Sequence, residues 1–511
     1  MTEHPSLADS ASQGIPVARR TFLRAVSTVA ASAGLCGSHS AASSGASVTA
    51  SDDGEKYRAL DEKIRAGMAA YAIPGVAVGV LDQGTEYVRG FGVTDLDHPV
   101  AVDGDTLFRI GSTTKTFTGT TMMRLLEQGK LDLDAPVRAY LPEFRTADPA
   151  AASQVTVRQL VNHSAGWLGD YFQDFGVGDD ALTRYAAGMV GLPQLTPPGA
   201  VFAYNNAAVG LAGRLIEVVT DMPYERAIRQ LLIDPLGLTH SRFFVAEAAG
   251  FSVATSHAVV NGKPVTSPAL FPVPRSLNPA GGLISSVRDQ LRYARFQLGN
   301  GTTPRGQRLL TERSLVAMRS NPGPGGTIMV ELDGVGVNWL LRPSAEGVRI
   351  VQHGGDWPGQ HSGLLMVPER GFALTLLTNS LGGPKLVREL FSDDWALRRF
   401  AGISNLPAVP QTLSPSELAP YEGHYTAQAI DSAGAAETTE VQLTGDRGQL
   451  AMTLTDQGDV TQSHLTFYRR DYVLSFDAND RPTHTRADFL RGPEGDVGWF
   501  RRGGRLYRRQ R

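Results

Sequence analysis

The chain has 511 residues, of which 42% are hydrophobic and 19% charged, with a formal net charge of -3. That length exceeds one typical domain, the composition is that of a globular protein with a sizeable core, and the balanced charge gives no electrostatic reason for a nucleic-acid or anionic-membrane partner. A single cysteine, Cys36, stands near the N-terminus; a chain processed beyond it would have no disulfide, no cysteine-based zinc site and no thiol nucleophile, and no stretch reaches the roughly 18 apolar residues of a spanning helix.

Residues 1–50 place Arg19-Arg20 before Phe22-Leu23, a weakly apolar stretch from Ala25 to Gly37, and then small residues. That order resembles a twin-arginine export signal followed by a flexible segment. Cleavage contexts occur at Ser40-Ala41-Ala42 and Val48-Thr49-Ala50, and the expected location is extracellular or cell-envelope associated. Leu35 before Cys36 is a poor match to a lipid-attachment site.

The helical pattern "DEKIRAGMAAYAIPG" is stopped by Pro74-Gly75. "VAVGVLDQGTEYVRGFGVTD" predicts two strands, Val76 to Leu81 and Glu86 to Gly92, around a tight turn at Asp82-Gly84. The middle of the chain is helical and loop-rich. Strands return in "VRIVQHGG", "HSGLLMVPE" and "GFALTLLTNS". Strands at both ends of a helical middle predict an α+β domain, its sheet built from the two ends and flanked by helices. Residues 401–420 are Pro- and Ser-rich and predict a linker. From Tyr421 to 511, seven or eight short strands at even spacing predict a small all-β barrel. The arginine-rich last eleven residues predict a solvated edge strand.

Within "FRIGSTTKTFTG", Ser112 precedes Lys115 by three residues at the expected start of a helix carrying Phe117, Thr121 and Leu125 on one side. Residues i and i+3 share a helix face. A serine hydroxyl needs a base within hydrogen-bond reach to act as a nucleophile, and a buried lysine can lose its proton and serve. The chain has only six lysines, yet a Ser-x-x-Lys pair alone is more often a helix cap followed by a surface lysine. Two further motifs change that balance. "PPGAVFAYNNAAVG" contains Tyr204-Asn205-Asn206, where a phenol can relay a proton and an amide can hold a substrate. "VQHGGDWPG" contains His353-Gly354-Gly355 at a strand end, where glycines let a substrate backbone approach.

In this order and spacing the three motifs resemble those of the serine β-lactamase and penicillin-binding protein-like hydrolases. That family includes class C β-lactamases, D-Ala-D-Ala carboxypeptidases, D-aminopeptidases and esterases. The similarity runs from about Ala72 to Asn379. It implies a β-lactamase/transpeptidase-like domain over 51–400, with an antiparallel sheet flanked by helices plus a mainly helical subdomain. The barrel at 421–511 resembles the lipocalin-like domain appended to several D-specific peptidases.

The resemblance implies that Ser112 is acylated, that Lys115 and Tyr204 share the proton work, and that Asn206 orients the substrate amide. It also implies that the backbone N–H groups of Ser112 and Asp356 form an oxyanion hole, with His353 in the catalytic set and Gly354, Gly355 and Asp356 around the substrate. The third motif departs from the common Lys-Thr-Gly. Gly354 offers no hydroxyl, and Asp356 would repel a carboxylate if it points inward. The expectation is a secreted acyl-enzyme hydrolase on D-amino-acid peptides or related amides and esters. The alternatives are a β-lactamase or D-alanyl-D-alanine carboxypeptidase, an acyltransferase or peptide cyclase, and a penicillin-binding sensor. The partner is a small-molecule or peptide substrate, and no cofactor or metal is expected because Ser, Lys and Tyr supply the proton chemistry. Ser164 in "NHSAGW" only approximates a nucleophile elbow, and His163 beside it is read as structural.

Overall fold

The computed structural model describes residues 52–320 and 322–510. The export signal and Cys36 lie outside the described residues.

Helix α1 (Asp52–Tyr71) ends where Ala72 turns left-handed, at φ 54, two residues before Pro74. Strands β1 (Gly75–Asp82) and β2 (Thr85–Gly92) follow as a hairpin, Asp82 opposite Thr85. The excursion that comes next carries helices α2 (Thr114–Glu127), α3 (Asn206–Thr220) and α4 (Val287–Leu298). The chain then returns to the sheet as β3 (Gly334–Val335), β4 (Leu340–Arg342), β5 (Ile350–Trp357), β6 (Gln360–Val367) and β7 (Phe372–Thr378), ending in helix α5 (Gly383–Phe391).

The seven strands lie in the order β2-β1-β7-β6-β5-β4-β3, and every neighbouring pair is antiparallel. Strand side chains alternate between faces, and here both faces are covered. Val76, Val78, Val80, Leu374 and Leu376 pack with Leu60 and Ile64 of α1 and Leu386 and Leu390 of α5. Ala77, Leu81, Ala373 and Leu377 face the other way, into a core shared with Leu291 of α4 and the helical middle. This two-sided burial explains why β6 and β7 read as nearly continuous apolar runs.

The C-terminal part is a closed eight-stranded antiparallel barrel: β8 (Gly423–Ile430), β9 (Ala436–Asp446), β10 (Gln449–Asp456), β11 (Asp459–Arg469), β12 (Tyr472–Asp477), β13 (Pro482–Arg491), β14 (Val497–Arg502) and β15 (Arg505–Arg509). Tyr425, Val441, Leu443, Phe467 and Phe500 fill its core. The expected solvated edge strand is corrected here. β15 pairs with both β14 and β8 and closes the barrel, so no edge remains. Arg501 and Arg505 turn toward the first domain instead of solvent: Arg501 bonds Phe202 O at 2.7 Å and Arg505 bonds Asp170 at 2.9 Å. The connecting segment touches both units, with Asn405 bridged to Ser344 and Gln411 N bonded to Phe467 O at 2.7 Å. Among the described residues no helix is long and apolar enough to cross a membrane.

Candidate active site

Ser112 lies in a short 3₁₀ turn, Gly111–Thr113, that runs directly into α2. Gly111 has φ +49, and a Cβ on it would meet Asp356 N at 2.8 Å. On the opposite side, a Cβ on Gly355 would lie 1.9 Å from Ile110 O and 2.8 Å from Ser112 N. Only glycines permit this approach of β5 to the turn. The consequence is that the backbone nitrogens of Ser112 and Asp356 lie beside the same space, as an oxyanion hole requires. The turn is held by Thr113 Oγ1 against Ser362 Oγ (2.8 Å), which donates to Ile110 O (2.6 Å).

Lys115, the second residue of α2, is wholly buried. Its Nζ stands 3.0 Å from Ser112 Oγ, donates to Ala280 O at 2.6 Å and lies 5.1 Å from the centroid of the Tyr204 ring. No carboxylate lies within ion-pair distance of it among the described residues. Burial pushes the ammonium well below its usual range; Arg505 adds to this and Asp170 opposes it. Burial thus works toward loss of the Lys115 proton.

Tyr204 sits on the loop before α3, 6% exposed. Burial raises its phenol, against the opposing hydrogen bond of the Ser112 hydroxyl, so it stays protonated. Its backbone is tied to both units, with Tyr204 N donating to Gly504 O at 2.8 Å. Asn205 caps α3 through Ala208 N and bonds Trp167 O, and its own N–H donates to His163 Nδ1 at 3.0 Å. The His163 ring stacks on Tyr204 at 4.4 Å. The structural reading of His163 thus gains a specific content: it fixes the height of the Tyr204 loop and covers the phenol ring.

Asn206 opens α3, and its Nδ2 donates to Asp170 Oδ1 at 2.8 Å. A carboxylate only accepts hydrogen bonds, so the Asn206 NH₂ must point there. That leaves its carbonyl oxygen free to accept from a substrate N–H. Asp170 is itself gripped by Arg505 Nε at 2.9 Å.

His353 is buried on β5, its Nδ1 2.7 Å from Gly354 O, which places the ring proton on that nitrogen. Burial, with Lys115 contributing, pushes its pKa down to about 3. Its Nε2 is a buried acceptor with no hydrogen-bond partner among the described residues. Gly354 leaves open space, the nearest atom to a Cβ there being Ser362 O at 3.4 Å. The Asp356 side chain is 55% exposed and lines the cleft, one oxygen held by His361 Nδ1 at 2.8 Å. Burial works to raise its carboxyl, but His361, Arg388 and Arg505 outweigh that and hold it below the usual range.

All eight residues singled out in the sequence thus meet around one cleft of about 190 Å³, lined also by Trp357, Arg388, Gly503 and Arg505. Reading the sequence missed Asp170, Arg388 and Arg505. Asp170 and Arg505 are 335 positions apart and belong to no local motif, and the docking of the barrel is what brings Arg505 to Asp170.

Residues 60–396 match the family described as Beta-lactamase. "Penicillin-binding protein 4" of Amycolatopsis lactamdurans is 34% identical over 369 residues, covering 71% of this chain and 96% of its own length. Among solved structures, that of SurE with D-Leu superposes with a TM-score of 0.68 at 26% identity, over 89% of this chain and all of the other. A class C beta lactamase from Rhodobacter sphaeroides superposes with a TM-score of 0.54 at 23% identity, over 66% of this chain and 99% of its own, a likeness of fold.

Proposed function

The chain belongs to the beta-lactamase family of serine hydrolases and penicillin-binding proteins, and from that premise we propose that it is an active acyl-enzyme hydrolase that cleaves D-amino-acid peptides and related amides. The observation that carries this reading is the wholly buried Lys115 amine 3.0 Å from Ser112 Oγ, its ammonium held well below the usual range by burial.

In the first step Lys115 Nζ accepts the proton of Ser112 Oγ as that oxygen attacks the substrate carbonyl. The N–H groups of Ser112 and Asp356 stabilise the oxyanion, which carries full charge only in the tetrahedral state. Tyr204 donates its phenolic proton to the leaving amine and is reprotonated from Lys115. Water then reverses the sequence on the acyl-enzyme. The raised phenol and lowered ammonium support Lys115 as the base and Tyr204 as the acid.

The substrate preference rests on Asp356. An anionic side chain facing the cleft favours a free amine near the reacting carbonyl and disfavours a carboxylate there. A similar protein solved with D-Leu supports a D-amino-acid substrate. The Arg19-Arg20 segment supports export, which fractionation of cells expressing the wild type and Arg20→Lys would test.

The deciding experiment compares D-alanyl p-nitroanilide, p-nitrophenyl butyrate and nitrocefin, with Ser112→Ala alongside. Release from the D-alanyl anilide, lost in Ser112→Ala, is the expected result. Ester cleavage alone would point to an esterase or acyltransferase. Fast nitrocefin turnover would contradict the role given to Asp356.

A further inference from the structure

Each of Arg486, Arg491, Arg501 and Arg505 has a carboxylate partner within 3.0 Å. Two guanidiniums at the junction of cleft and barrel do not. Arg388 of α5 and Arg502 at the end of β14 make no ion pair among the described residues, although both are partly buried; the charge of Asp356, beyond ion-pair distance, acts on Arg388 first and that of Arg502 opposes it. The Arg502 side chain is hydrogen-bonded to the Tyr507 hydroxyl. Like charges brought together out of water are unfavourable unless something anionic joins them.

The two arginines line a second cavity, of about 60 Å³, in the mouth of the barrel. Its wall is polar, with Thr461, Ser463, Ser475 and Thr485, whereas the core deeper in the barrel is apolar. The Ser463 hydroxyl there is buried and has no hydrogen-bond partner among the described residues. Asp477 also borders the cavity, but its Oδ1 is engaged by the N–H groups of Asn479 and Arg481 in its own turn. The carboxylate across the cleft, Asp356, is held by His361. Ile328, Met329, Arg388 and Gly503 line this cavity and the candidate cleft alike, so the two are adjacent.

We propose that Arg388 and Arg502 form an anion subsite in the barrel mouth, which takes the carboxylate at the far end of a peptide whose reacting carbonyl lies at Ser112. This deepens the proposed function and rests on it. The substrate class becomes short peptides with a free amine near Asp356 and a free carboxylate at the barrel. Planar guanidiniums suit a carboxylate because they offer paired donors in a fixed fork.

The test uses the full-length Ser112→Ala protein, titrated calorimetrically with D-Ala-Gly-Gly and with its C-terminal amide. The acid is expected to bind about tenfold more tightly than the amide. Arg388→Gln and Arg502→Gln, each added to Ser112→Ala, are expected to bring that ratio toward one. An acid that binds no better than its amide in Ser112→Ala alone, including no binding of either, overturns the proposal without requiring any arginine variant to fold. A ratio preserved in both folded arginine variants also overturns it. Failure of the wild type to cleave D-alanyl p-nitroanilide would count against the function reading alone, because the binding ratio is read without turnover.

Discussion

The guanidinium of Arg505, on the last strand of the barrel, lies 4.8 Å from the centroid of the Tyr204 ring in the catalytic domain. The same guanidinium grips Asp170, which in turn holds Asn206. The barrel therefore supplies part of the wall and part of the electrostatics of the reaction site.

That contact predicts a pH effect. Lys115 must be neutral to accept the Ser112 proton, so kcat/KM should fall as pH drops through the Lys115 pKa, which burial and Arg505 hold well below 10.5. Removing a nearby positive charge favours the ammonium. Arg505→Met should therefore move the acid limb of the kcat/KM profile to higher pH. A limb that stays in place or moves down would show that Arg505 does not tune Lys115.

Lys115→Met should lower kcat by about 10²–10⁴-fold, the usual contribution of a positioned general base. Tyr204→Phe should fall in the same range but retain acylation by esters better than by amides, because a phenoxide leaving group needs no proton. Pre-steady-state bursts with p-nitrophenyl butyrate and D-alanyl p-nitroanilide separate the two cases.

Adjacent glycines should respond in opposite ways. Gly355→Ala drives a methyl to within 1.9 Å of Ile110 O and toward Ser112 N. It should cost about 1–3 kcal/mol of stability and misplace the oxyanion hole. Gly354→Ser meets nothing closer than 3.4 Å and should fold normally. Melting temperatures of the two variants, with D-alanyl anilide turnover, check both halves.

Arg501 and Asp488 form a buried pair at 2.6 Å, and Arg501 also holds Phe202 O. Arg501→Met leaves Asp488 buried without its partner and should destabilise by about 3–5 kcal/mol. Denaturant unfolding followed by tryptophan fluorescence measures this loss.

The buried histidines should make stability acid-sensitive. His353 is held at about 3 and His163 well below its ordinary range, both chiefly by burial. An unfolded histidine takes up its proton below about pH 6.5, whereas the native rings cannot. Their contribution is thus complete above about pH 6.5 and declines as pH falls toward the folded values, by up to about 1.4 kcal/mol per pH unit for each ring. Unfolding free energies at several pH values should show a shallower slope in His353→Asn than in the wild type.

The sequence by itself determined the elements and the reacting groups. Short apolar runs in β1, β6 and β7, the Pro74 stop and the even strand spacing after Tyr421 are local signals, set by backbone geometry over a few residues. Ser112 and Lys115 share a face because three residues make nearly one helical turn, and that too is local. What only the tertiary structure decided is what those groups feel. The lowered ammonium of Lys115 comes from complete burial beside Ala280 and Tyr204, and no neighbour in sequence dictates it. The arginine-rich tail, a solvated edge by its composition, becomes a closing strand because β8 lies beside it, some 80 residues away in the chain. Asp170, Arg388, Arg502 and Arg505 come from four separate stretches, and their meeting depends on how the barrel docks. Docking is set by long-range packing and desolvated ion pairs, which leave no periodic trace in the amino-acid order.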